Sequence, residues 1–174
     1  MNIIKAERAT FEYVEGIKVD FYKLPSGEYR IGLASASIAL GFASNWLDRA
    51  TSREKRTLKT LQGIGYTNVP IQVKLDAING GGTSAKTISI ADFQILKIYA
   101  VQKGKQEAIK LLSFNALNSD LDIAADLFQE KRLSYEEKRA IWYKELAATI
   151  NWLEDDRHEW QLIQEQELFL GGIY

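Results

Sequence analysis

GLASASIALGFASNWLDRATSREKRTLK, residues 32–59, is the stretch whose reading decides the fold. A short apolar helix breaks at Gly41, a second helix with apolar spacing follows, and a basic run comes directly after it. Ala36, Ser37, Leu40, Gly41, Phe42, Leu47 and Ala50 fall where a helix-turn-helix needs them. The motif wants a small residue where two helices cross, a glycine to turn the chain, and buried apolar residues on either side. The second helix would then present Ser44, Asn45, Asp48, Arg49 and Arg53 outward. Polar and basic side chains in such a place reach base edges and phosphates.

Working outward on the N-terminal side, Thr10 to Val14 and Ile17 to Leu24 favour strands, with Ile17, Val19 and Phe21 alternating. Pro25-Ser26-Gly27 predicts a turn, and Glu28 to Leu33 returns as a strand that feeds the helical pair. On the other side, Val69 to Leu75 reads as an alternating strand that Pro70 directs to a sheet edge. Asn79-Gly80-Gly81-Gly82-Thr83 is a flexible loop without the GxxxxGK[ST] spacing of a phosphate cradle. It is expected to be a hairpin tip flanked by Lys74 and Lys86, of the kind that tracks along a DNA backbone.

From Ser89 onward the chain reads as helical. Ser89 with Asp92 makes an N-cap with an acid in the first turn. Phe93, Leu96, Tyr99, Ala108, Ile109, Leu112 and Leu117 keep helical spacing on either side of Lys103-Gly104-Lys105. Further helices are expected at about 119–128, 134–153 and 157–170, with Ser134 and Glu137 forming an S-x-x-E capping box. The fold class expected is therefore α+β. A small β-hairpin and helix-turn-helix-like region over 1–88 precedes a helical region over 89–174 that serves dimerisation or partner binding.

Composition limits the function. The 174 residues, 46% apolar and 11% aromatic, suit a globular chain of one domain or one domain with a helical extension. No apolar run approaches the roughly 18 to 20 residues needed to span a bilayer, and the N-terminus lacks a signal-peptide pattern, so the protein is expected in the cytoplasm. The absence of cysteine removes disulfides, thiolate metal sites and cysteine nucleophiles. Residues 1–119 carry sixteen Lys and Arg against ten Asp and Glu, a net of +6, while residues 120–174 carry six against thirteen, a net of −7. The first part offers a cationic surface to an anionic partner, and the second an acidic helical surface.

Catalysis is not expected. Glu154-Asp155-Asp156-Arg157-His158-Glu159 places the single histidine among four carboxylates, the residue types of a Mg²⁺-dependent nuclease. Neighbours one or two apart on a helix diverge, however, so these acids would not converge on a metal without help. No acid-x-lysine pair completes a PD-(D/E)xK arrangement in the strand-rich part, and neither GxSxG nor HExxH occurs. Trp46, Trp142, Trp152 and Trp160 read as core or interface residues, three of them in the acidic part where a phosphate backbone would be repelled. No cofactor and no metal are expected.

The order of hairpin, GLASASIALGF, basic segment, strand, glycine-rich loop and ISIADF opening a helix resembles the N-terminal DNA-binding region of phage antirepressor-type proteins, the Bro-N and KilA-N group. The resemblance covers roughly residues 10–115 and implies sequence-specific binding of double-stranded DNA and a regulatory role. Residues 120–174 match no effector domain of that group. Ser44 and Asn45 are the candidates for base edges, and Arg49, Arg53, Lys55, Arg56, Lys59, Lys74 and Lys86 for phosphates. A homodimer through the long C-terminal helix fits Trp142, Trp152 and their apolar neighbours. The competing reading is a protein-interaction module acting through residues 120–174, as an antirepressor or anti-defence protein does.

Overall fold

Strands and three short helices share the first ninety positions, and the described residues after them are helical or in turns. The computed structural model describes residues 4–53, 55–75, 83–151 and 162–166, the Lys55 side chain excepted. Six strands, β1 (Ile4–Lys5), β2 (Glu7–Val14), β3 (Ile17–Lys23), β4 (Tyr29–Gly32), β5 (Ile71–Leu75) and β6 (Thr83–Ser89), form one mixed sheet in the order β1-β5-β6-β4-β3-β2. Its helices are α1 (Leu33–Ala39), α2 (Trp46–Ser52), α3 (Lys55–Gly63), α4 (Ile90–Gln102), α5 (Gln106–Leu127) and α6 (Tyr135–Glu145). The class is α+β. The chain separates into two compact units, Met1–Leu112 and Ser113–Tyr174. The residue 88/89 boundary expected from sequence falls at the β6–α4 junction inside the first unit, because α4 packs on β4, β6 and α3.

Sheet register explains the curvature. β2, β3, β4, β6 and β5 pair antiparallel in turn, and β1 closes the set by pairing parallel to β5 through Ile4 opposite Val73 and Lys5 opposite Lys74. β1 and β2 stand at opposite ends of the strand order, yet only Ala6 separates them in the chain. The sheet therefore rolls until its two ends meet in one kinked strand. Packing agrees: Tyr22 of β3 and Leu24 just after it cluster with Val73 of β5, against Ile4 and Ala6, although β4 and β6 lie between those strands. The opposite face carries Val19, Ile31 and Ile88, all fully buried. α1 lies on β3, β4 and β6, and α4 on β4 and β6. Burial of these branched and aromatic side chains supplies the main stabilising term.

Two sequence expectations change, and two segments left without an assignment gain one. Pro70 does not mark an edge: β5 lies between β1 and β6, and Pro70 precedes its first residue, where the missing N–H costs no ladder bond. Thr83–Ser89, whose small and polar residues conceal the alternation, is a strand. The basic run is itself a helix, α3. The helix expected to start near Ser119 is the continuation of α5, since no glycine or proline between Lys105 and Phe128 stops it.

Caps are as the sequence implies. Ser89 Oγ accepts the Asp92 N–H at the start of α4, and Ser134 with Glu137 makes a reciprocal capping box on α6. In the second unit Trp142 is buried and donates its indole N–H to Ser113 Oγ at 2.8 Å. Lys138, also buried, pairs with Asp122 at 2.6 Å and donates to Asn118. α6 ends at Glu145, a turn at Leu146 follows, and residues 147–151 resume the helix. Trp152, Trp160, the acidic cluster 154–159 and the glycine loop 79–82 lie outside the described residues.

Candidate nucleic-acid interface

The helical corner is built by the residues that the motif requires. Ala36, Ser37, Leu40, Leu47 and Ala50 are all fully buried. Ser37 stands where alanine is usual, and it is tolerated because its hydroxyl donates to the Leu33 carbonyl at 3.0 Å. Gly41 takes φ +88°, the left-handed turn that only glycine adopts cheaply, and a Cβ there would run into the Glu107 carboxylate. Phe42 is half-buried. Its ring stacks on Trp46 with centroids 3.8 Å apart and planes 9° apart, and Tyr99 joins the stack 5.9 Å from Trp46. Lys105 caps Phe42 at 4.7 Å and Lys103 caps Tyr99 at 5.5 Å. Trp46 thus holds the α1–α2 turn against the α4–α5 turn.

Behind α3 a polar brace fixes the chain. The Thr67 N–H and hydroxyl donate to the buried Asp92 carboxylate at 2.9 and 2.7 Å. The buried Arg30 guanidinium donates to the Val69 and Thr87 carbonyls, to Thr87 Oγ1 and to Glu28. Tyr66 is buried beside this brace. Desolvation, then the Asp92 charge, push its phenol well above the ordinary range, against a smaller opposing pull from Arg30. The exit of α3 is therefore pinned to α4 and β4.

On this frame the candidate residues divide into two groups. Arg49, Arg53, Arg56 and Lys59 are exposed along α2, the α2–α3 junction and α3, with Leu58 and Leu61 turned inward. Lys55 belongs to α3, with its side chain outside the described residues. Lys74 and Lys86 occupy diagonal positions on one face of the β5–β6 hairpin, since Lys74 opposes Ser84 and Lys86 opposes Gln72.

Ser44, Asn45 and Lys86 come together with residues the sequence did not single out. They line a cleft of about 340 Å³ with Asp20, Tyr22, Ser35, Asp48 and Ser84, floored by Gly32 and Ala85. Gly32 sits in a close approach: a Cβ there would lie 3.0 Å from Ser35 Oγ and 3.1 Å from the Tyr22 ring. Ser35 Oγ accepts the Asp20 N–H and donates to the Gly32 carbonyl, which ties α1 to β3. The Asn45 side chain takes no part in capping α2, although Asn45 occupies the N-cap position. The Tyr22 phenol is raised by burial and by Asp20, with Arg8 acting in the opposite sense.

Lys86 does not present a bare charge. Its ammonium pairs with Asp48 at 2.6 Å, both side chains about half exposed. Sequence reasoning found the α2 residues from the motif. It missed Asp20, Ser35 and Ser84, because nothing local signals that β3, α1 and β6 converge there. Among the described residues no group of three or more acidic or histidine side chains could hold a metal ion, and no helix is long and apolar enough to cross a membrane. Comparison with protein families, curated proteins and solved structures finds no match to this chain.

Proposed function

We infer that the chain is a sequence-specific, non-enzymatic DNA-binding regulator of phage antirepressor type, acting on double-stranded DNA in the cytoplasm as a homodimer. One observation carries the reading: a track of exposed Arg49, Arg53, Arg56 and Lys59 runs on from a polar cleft holding Ser44 and Asn45. Cations that neutralise phosphates supply affinity, and polar groups beside them supply sequence readout. The net +6 of residues 1–119 supports the same partner through long-range attraction.

Fluorescence-anisotropy titration of a mixed-sequence duplex, at low and at moderate salt and with or without Mg²⁺, tests this. Binding that collapses with salt and ignores Mg²⁺ is expected. No binding at low salt defeats the reading, and Mg²⁺-dependent cleavage would turn attention to Asp155, Asp156 and His158.

A second reading, a protein-interaction module, is favoured by one separate feature. Leu127 and Phe128 at the end of α5 are 74% and 76% exposed. The corner carrying them is held by Arg132, which donates to both Asp126 carboxylate oxygens at 3.1 and 2.7 Å. Ordered apolar side chains standing in water suit a protein contact.

A further inference from the structure

The cleft beside α2 carries two carboxylates, Asp20 and Asp48, against one cation, Lys86. Its own balance is therefore one negative charge, and it makes a poor seat for phosphate. What a carboxylate accepts is a hydrogen bond from an amine or amide donor. In the major groove the donors on base edges are the exocyclic amines, cytosine N4 and adenine N6, and acidic side chains pair with the former while Asn pairs with adenine. Asp48 and Asn45 lie three residues apart at the start of one helix, so both address the same few base pairs. In the free protein Asp48 is occupied by Lys86, 38 residues away on β6. A half-exposed ion pair of this kind is weak and is readily exchanged.

Resting on the DNA-binding reading, we propose that Asp48 is a specificity-determining residue that accepts an exocyclic base amine in the cleft, while Lys86 leaves it for a backbone phosphate. The exchange rewards a site that offers an amine at the right position. Elsewhere the Asp48 charge repels the backbone, which suppresses binding to arbitrary sequences.

The test uses the full chain and a pool of duplexes randomised over the site, with selection on the wild type and on Asp48→Ala, which removes both the charge and the acceptor. The wild type is expected to enrich cytosine or adenine at one position that Asp48→Ala leaves random. The variant should bind an unselected mixed-sequence duplex about three- to tenfold tighter at low salt, since one repelling charge is gone. Replacing the selected base by an analogue without the amine, 2-pyrimidinone for cytosine or purine for adenine, should weaken the wild type about tenfold and leave Asp48→Ala unchanged. Lys86→Met supplies a second variant: it should bind all duplexes more weakly and keep the wild-type base preference. Wild-type binding with the same selected base and the same mixed-duplex affinity in Asp48→Ala overturns the inference alone. A wild type that binds no duplex at low salt overturns the DNA-binding reading, and the inference falls with it.

Discussion

The Lys97 ammonium on α4 lies 4.5 Å from the centre of the Phe93 ring and 5.9 Å from that of Tyr13, in a side chain only 4% exposed. The hydrogen-bond acceptor it reaches is neutral, Gln94 Oε1 at 3.2 Å. Burial lowers its pKa from 10.5 to about 8. The unfolded chain keeps the proton up to about 10.5, so between 8 and 10.5 the unfolded state binds more protons and stability rises with pH. Below pH 8 the full cost of the buried charge is present. Lys97→Met should raise the unfolding free energy at pH 7 by about 2–3 kcal/mol, and the gain should shrink as pH approaches 10.5. Urea unfolding across that range checks it; a gain independent of pH would mean that packing, not charge, is responsible.

Gly41 is irreplaceable for a backbone reason. Gly41→Ala should cost about 1–2 kcal/mol, because φ +88° is strained for any residue with a Cβ. Trimming the facing side chain with Glu107→Ala relieves the steric clash and leaves that strain, so the double variant should recover only part of the loss. Full recovery in chemical denaturation would refute the backbone argument.

The α6 capping box offers a cleaner measurement, since its members are exposed. Ser134→Ala should destabilise by about 1 kcal/mol, and Ser134→Gly by only a few tenths. No loss from Ser134→Ala in thermal unfolding would show that the hydroxyl does not act as a cap.

The basic track predicts a change in salt dependence. Arg53→Ala with Arg56→Ala should lower the slope of log K against log salt by about 1.8 and weaken all sequences alike. Asn45→Ala should leave the slope intact and relax base preference. A double variant with the wild-type slope would move the phosphate contacts elsewhere.

At the acidic corner, Leu127→Ser with Phe128→Ser should shift the unfolding free energy by less than about 0.5 kcal/mol, since both side chains already stand in water. Sedimentation of the same variant reads whether this corner joins two copies. A large loss of stability would mean that the two side chains are covered in solution.

How far the sequence reached depends on how local each signal is. Ser89, Ser134 and the set from Ala36 to Ala50 act within one or two helical turns, and each does what its spacing implies. Thr83–Ser89 was implied only by the hairpin tip before it and not by its own residues, because Thr87 is held by Arg30 and Ile71 across the sheet. Burial of Arg30 and Lys97 could not be read either: a charged residue looks solvated until the partners that receive it are known. The cleft follows the same rule. Ser44 and Asn45 were legible from the helix they begin, whereas Asp20, Ser35 and Ser84 reach it only through the rolled sheet.

That rolled sheet has a consequence for how the chain tolerates change at its start. The Ile4–Lys5 pairing with Val73 and Lys74 joins residues about seventy positions apart, among the most distant contacts in the first unit. Such contacts are costly to close and tend to form late in folding. Cutting the chain at Glu7 would leave β2 on β3 and strip β5 of its outer neighbour, exposing a fresh row of backbone donors and acceptors beside Ile71 and Leu75. Two residues thus act as the seam of the rolled sheet. Unpicked, it would offer strand β5 to the next molecule, and the visible result would be self-association rather than unfolding.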